Sequence, residues 1–235
     1  MKTVLFISIL AVIGCGQDSS SPSVPVPSPV IGQNEPAPPI PIKIELAACP
    51  NTAIGVMVGL DVREPRLYHE NLLVVWKSKR RMAFYRSGYL RQDQLNGGQA
   101  CWRVALGVNR EGEYVPGAKI IRGDRRTPEG WYRISDNPAS RYAGAISIHY
   151  PNDDDARLGR LFGLIDDGTE RRIANLIRHD AKPPQDTILG GLILFHGGGA
   201  AYDWTEGCVA LDDENLESLR GLLPRPMNGW TLILP

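Results

Sequence analysis

From Leu189 to Leu211 the chain reads L-G-G-L-I-L-F-H-G-G-G-A-A-Y-D-W-T-E-G-C-V-A-L, and no other stretch limits its fold as tightly. The apolar run Leu192, Ile193, Leu194, Phe195 stops at His196 and three glycines; Cys208 follows twelve residues later in Thr205-Glu206-Gly207-Cys208. Such a pattern delivers an imidazole from a strand end and a thiol from the start of the next segment. A thiol is mostly protonated at neutral pH, so a nucleophilic cysteine requires a neighbouring base. Cys208 is the candidate nucleophile and His196 the candidate base. The glycines permit close backbone approach, and the amides around Gly207 and Cys208 are expected to face a developing oxyanion. The plain alternative is a buried structural cysteine beside a core histidine.

Short strands and turns surround this stretch. Leu-Leu-Val-Val-Trp from 72 and Met-Ala-Phe-Tyr from 82 predict two strands around the charged turn Lys77 to Arg81, and Cys101–Val108 predicts a third. Asn96-Gly97-Gly98 and Asn109 to Gly112 are turns by composition. Gly123 to Gly130 reads as a loop, followed by a strand from Trp131 to Ile134. Ala145 to Tyr150 alternates, with Ile146, Ile148 and Tyr150 on one face and Ser147 and His149 on the other. The strongest helix is capped at Thr169, carries Ile173, Leu176 and Ile177 on one side and stops before Pro183-Pro184. A second helix begins at Asp212 or Asp213, with Leu216, Leu219 and Leu223 on one face, before an Asn228-Gly229 turn and a closing strand from Trp230 to Leu234. The expected class is mainly β, a β-rich α+β domain over residues 43–235.

His196-Gly197 with Thr205-x-Gly207-Cys208 resembles the signature of the YkuD-type L,D-transpeptidase catalytic domain family. Gly123-Asp124-x-x-Thr127-Pro128-x-Gly130-x-Tyr132 is similar to the family's second block, and Tyr150-Pro151-Asn152 lies between the two. The resemblance implies a YkuD-like β-sandwich or barrel with short helices. It also implies acyl transfer through a Cys208 thioester on the meso-diaminopimelate stem peptides of peptidoglycan, without cofactor or metal. Substrate contacts are expected at Gly197, Thr205, Tyr150 and His149, although His149 also reads as a solvent-facing strand residue. Asp124, Thr127, Pro128 and Gly130 are expected to be structural. Arg125 and Arg126 are either solvated or partners for substrate carboxylates, and the helical insertion before His196 is expected to wall the cleft.

Two positions beside the nucleophile depart from the commonest family pattern: Glu206 stands where many members have His, and Ala210 where many have Arg. Losing that arginine removes a bidentate partner for a carboxylate. The branch with Ala includes members that look like hydrolases, so trimming of stem peptides or release of attached proteins is the second reading. A non-catalytic wall-binding lipoprotein is the third. One Cys and one His without adjacent paired ligands is poor zinc spacing.

Residues 1–14, a positive start and an apolar core too short to span a bilayer, predict an export signal. Val12-Ile13-Gly14-Cys15 resembles a bacterial lipobox, which implies lipidation of Cys15 and a membrane anchor; Gly16 favours the outer membrane of a Gram-negative envelope. Residues 15–42 form a Ser- and Pro-rich tether, expected to be disordered and extended. The chain has 26 basic and 26 acidic residues, and removing the leader, which carries only Lys2, leaves a net charge of −1. That balance gives no basic face for nucleic acid. In an exported protein Cys49 and Cys101 either pair or stay as buried thiols.

Overall fold

The computed structural model describes residues 49–53, 61–95 and 97–235, all within the unit Glu45–Pro235. The leader 1–14, Cys15, the tether 15–42 and Asn96 of the expected Asn96-Gly97-Gly98 turn lie outside the described residues.

β1 (Leu72–Trp76) and β2 (Arg81–Arg86) pair antiparallel around the charged turn, with Leu72 opposite Tyr85 and Trp76 opposite Arg81. Every residue of β1 is buried, because the sheet has apolar layers on both sides. Leu73 and Val75 enter the main core with Phe84, Ile134, Phe195 and Val209; Leu72, Val74 and Trp76 enter a second cluster with Tyr85 and Leu67. Side chains alternate across a strand, so one sequence feeds both layers.

β3 (Tyr89–Leu90), β4 (Cys101–Arg103), β5 (Gly130–Asp136), β6 (Ile146–Ile148), β7 (Leu194–His196), β8 (Val209–Ala210) and β9 (Gly229–Leu234) complete one mixed sheet. Its order is β3-β2-β1-β9-β5-β6-β7-β8, with β4 sharing the β2 edge. β1 with β9 and β7 with β8 are parallel, and the other pairs are antiparallel. The sheet then curls onto itself. Ala105 and Ala210 exchange two backbone hydrogen bonds of 2.9 Å, and Val108 N–H donates to Thr205 O at 3.0 Å. This closure corrects the long third strand expected over 101–108. The chain leaves β2 after Arg103 and pairs with the β8 side instead, which satisfies its polar groups in two short pieces.

Among the described residues three α-helices pack outside the sheet: α1 (Asp153–Leu161), α2 (Asp167–Arg178) and α3 (Asp213–Leu222). α1 went unread in the sequence, yet Asn152 and Asp155 form a capping box at its start. α2 is the expected helix, capped by Asp166 rather than Thr169: the Asp166 carboxylate accepts the Thr169 N–H at 2.7 Å.

Cys49 and Cys101 form a disulfide that closes a separation of 52 residues. By chain entropy such a loop contributes about 4 kcal/mol. Lys77, the first residue of the charged turn, is fully buried. Its Nζ donates to Gly117 O, Thr127 O and Glu129 Oε1 at 2.7, 2.9 and 2.7 Å, tying β1 to the 123–130 loop.

Candidate active site

The 123–130 loop sets the floor. Asp124 accepts hydrogen bonds from Lys119 Nζ and from the Ile120, Ile121 and Arg126 amides. Burial raises its pKa, but these donors win and hold the carboxyl below its ordinary range. Thr127 is buried with its hydroxyl facing Gly107 N–H, so the structural roles expected of this loop match where the side chains lie. A Cβ on Gly207 would meet Arg126 O at 2.7 Å, and Gly207 adopts φ +117°. Only glycine fits there.

Within the Thr-Glu-Gly-Cys turn, the buried Thr205 hydroxyl donates to Cys208 O at 2.7 Å and accepts the Gly207 N–H at 3.2 Å. Thr205 therefore fixes the turn and presents no hydroxyl to a substrate, which corrects its expected role as a substrate contact. The Gly207 amide is likewise occupied, so Gly207 gives the turn its shape and does not supply an oxyanion donor. The Cys208 N–H has no hydrogen-bond partner among the described residues and is the amide left to do so.

β7 ends on His196, and Cys208 immediately precedes β8. Phe195 and Val209 pair and point into the core, while His196 pairs with Ala210. Cys208 precedes Ala210 by two residues, and its sulfur lies against the backbone of the segment leading into β7, 3.6 Å from Leu192 O. His196 Nδ1 lies 2.6 Å from Gly197 O. A carbonyl only accepts, so Nδ1 carries the proton and Nε2 presents a lone pair. Burial, partly opposed by the Gly197 bond, lowers the imidazole pKa, and the charge of Arg141 lowers it further. Tyr142 stacks on His196 at 4.2 Å and 17°, and Trp204 meets it edge-on at 5.4 Å.

Two carboxylates clamp the glycine loop. Asp213 Oδ1 accepts the Gly198 N–H at 2.8 Å and Asp212 Oδ1 accepts the Ala200 N–H at 2.9 Å. A Cβ on Gly197 would collide with Asp213 Oδ1. Gly197 thus serves through its carbonyl and its lack of a side chain, and nothing in its position offers a substrate contact.

At rest Cys208 is half-buried, and Sγ donates to Leu192 O at 3.6 Å; no hydrogen bond joins it to His196. Burial pushes the thiol pKa up to about 11, with the Leu194 N–H acting against this and Glu206 adding to it. At rest the sulfur therefore keeps its proton and points it at Leu192 O. Leu192, expected to lie in the strand that ends at His196, has φ +59° and is 61% exposed. Its N–H donates to Gln185 Oε1 at 2.7 Å. Glu206, 77% exposed at its side chain, pairs with Arg125 at 2.9 Å, which removes Arg125 as a free partner for a substrate.

The remaining sequence candidates lie elsewhere. Tyr150 is buried in the main core, with its hydroxyl donating to Leu189 O at 3.2 Å. His149 is 4% exposed, and Nε2 lies 2.9 Å from Ser135 Oγ; it is neither a cleft ligand nor a solvent-facing residue. Ser147 on the same face receives Lys182 Nζ at 3.0 Å. The segment after α2 covers that face, so alternation there does not separate core from solvent. Tyr142, Trp204, Asp212 and Asp213 shape the site without having been singled out for it; only the caps of α3 left a trace in the sequence. Among the described residues no group of three His, Cys, Asp or Glu is placed to hold a metal ion.

A family model for the YkuD L,D-transpeptidase catalytic domain matches residues 70–227. No curated protein matches the chain. Among solved structures, a mutant form of the helical cell shape determining protein Pgp2 from Campylobacter jejuni matches at 24% identity and TM-score 0.44, over 71% of this chain and 48% of that one. The protein Bd1075 of Bdellovibrio bacteriovorus matches at 18% identity and TM-score 0.40, over 73% of this chain and 50% of that one. An L,D-transpeptidase from Mycobacterium tuberculosis matches at 11% identity and TM-score 0.38, over 71% of this chain and 58% of that one. The chain spans about half the length of these proteins.

Proposed function

The chain belongs to the YkuD L,D-transpeptidase catalytic domain family, and from that premise we propose that it is a cysteine acyltransferase acting on the meso-diaminopimelate stem peptides of peptidoglycan. The observation that carries this reading is the Nδ1–H bond of His196 to Gly197 O, which leaves Nε2 unprotonated on a strand paired with the one that Cys208 leads into.

In the proposed reaction the thiol leaves Leu192 O and passes its proton to Nε2. The thiolate attacks the donor carbonyl, and the oxyanion is received by the Cys208 N–H, an interaction type worth roughly 3 to 4 kcal/mol per donor. Collapse breaks the amide bond, the leaving amine takes the proton from Nε2, and a Cys208 thioester remains. An acceptor amine then attacks the thioester, gives a proton to Nε2 and restores the thiol.

Hydrolysis is the second reading, with water attacking the same thioester. Ala210 favours it: the residue beside His196 is fully buried and projects no cation for an acceptor's carboxylate. A lipid anchor at Cys15 on the periplasmic face, at the outer membrane, completes the proposal, because a tether over 15–42 would hold the domain within reach of the wall. Labelling with radioactive palmitate tests it, and an unlabelled wild-type chain contradicts it.

Incubation with defined muropeptides, followed by mass analysis, separates the readings. Cross-linked products support transfer and shortened stems support hydrolysis. Unchanged muropeptides favour the non-catalytic wall-binding lipoprotein.

A further inference from the structure

We propose that Arg141 binds a carboxylate of the acyl-donor peptide beside Cys208 and His196, with Tyr142 as its platform. The inference rests on the acyl-transfer reading above and adds to it the residue that anchors the donor.

The connection between β5 and β6 runs from Asn137 to Ala145 and folds back on itself. Ser140 N–H donates to Asn137 O, Tyr142 N–H to Ser140 Oγ, and Ala145 N–H to Tyr142 O, at 3.1, 3.1 and 3.2 Å. Arg220 of α3 pins both ends, donating to Asp136 Oδ1 at 2.7 Å and to Gly144 O at 3.0 Å. The loop thus holds Tyr142 in its stack on the imidazole before any substrate arrives.

Arg141 lies over the Tyr142 ring. Its guanidinium lies 5.0 Å from the Tyr142 ring centroid, and one terminal nitrogen donates to Tyr142 Oη at 3.2 Å. It is exposed and has no carboxylate partner among the described residues, and its charge reaches both the thiol and the imidazole. Three other cations are already engaged: Lys119 by Asp124, Arg125 by Glu206 and Lys77 by Glu129, whereas Arg126 has no ion pair among the described residues and keeps its Nε buried.

One bond to Tyr142 uses one of five guanidinium donors, which leaves a fork able to take a carboxylate through two parallel hydrogen bonds. A stacked guanidinium also gives up less freedom on binding than a solvated one. The ligand class that follows is a peptide with a free carboxylate a few bonds from the carbonyl that Cys208 attacks. Trp204, edge-on to His196, lines a cavity of about 240 Å³ with Gly198, Gly199, Ala201 and Tyr202, room for the rest of the donor.

The test compares two muropeptides, one with free carboxyl groups on the donor diaminopimelate and one with those groups amidated. Wild type is expected to favour the free acid by about tenfold or more in kcat/KM, the size expected for charged hydrogen bonds. In Arg141→Ala the two substrates should converge to within about twofold, and Arg141→Lys should recover part of the preference. An Arg141→Ala variant that keeps the wild-type preference, or loses both activities in equal proportion, overturns the assignment. A wild type that is active with no preference for the acid also overturns it and leaves acyl transfer standing. A wild type that turns over neither substrate, although iodoacetamide still labels Cys208, removes acyl transfer and this assignment with it.

Discussion

His196 Nδ1 and the carbonyl oxygen of Gly197 stand 2.6 Å apart, and this contact fixes which imidazole nitrogen is free to act as a base. It depends on a glycine at 197, because a Cβ there would strike the Asp213 carboxylate that clamps the loop. Gly197→Ala should therefore keep its fold by circular dichroism and lose turnover on the order of a hundredfold, the scale of an ångström-sized misplacement. Turnover within about twofold of wild type would show that the loop tolerates the shift.

The thiol should be quiet before substrate arrives. With its pKa pushed up to about 11 by burial, Cys208 should react with iodoacetamide at a rate that keeps climbing well above neutral pH. Removing the negative charge in Glu206→Gln should move that profile down. His196→Ala should leave the resting profile in place while abolishing acyl transfer, because the imidazole makes no hydrogen bond to sulfur at rest. A wild-type profile that levels off near neutrality would contradict the resting state described above.

Stability should respond to the bridge between Cys49 and Cys101. Cys101→Ser is expected to lose about 4 kcal/mol in denaturant unfolding, from the entropy returned to the unfolded chain. The same loss should appear in wild type under reducing conditions. A change below about 1 kcal/mol in both would contradict the estimate.

His149 links stability to pH. Burial lowers its pKa from 6.5 to about 4, with Lys182 and Arg133 adding to the shift. The folded state thus refuses a proton that the unfolded chain accepts. This contribution is fully present above about pH 6.5 and is lost as pH falls toward 4, by about 3 kcal/mol at 1.36 kcal/mol per unit. Asp155 acts with the opposite sign: burial raises its pKa to about 7, so its contribution declines as pH rises through the same range. The difference in unfolding free energy between wild type and His149→Gln isolates the histidine. A difference that does not change between pH 7 and pH 4 would contradict the assignment.

Much of this was legible in the sequence because glycine and the polar punctuators leave local marks. His196, Cys208, the Gly123 to Gly130 loop and most strands were readable, since each is set by short-range pattern. What was missed is set by partners far away in the chain. Lys77 looks like a turn lysine until Gly117, Thr127 and Glu129 close around it. Thr205 and Gly207 looked like substrate and oxyanion groups, and the turn itself uses both. Alternation placed His149 and Ser147 on the face away from the core, but that face is covered by the segment bearing Lys182. Tyr142 sits in a loop without periodicity, so nothing local announced its stack on His196.

The most direct test of the central claim is the mass of the intact protein, quenched rapidly after mixing with a stem-peptide substrate and then mapped by proteolysis. The account predicts an added acyl group on the peptide containing Cys208 in wild type and none in Cys208→Ala. An adduct on any other residue, or product formed by Cys208→Ala at the wild-type rate, would contradict it.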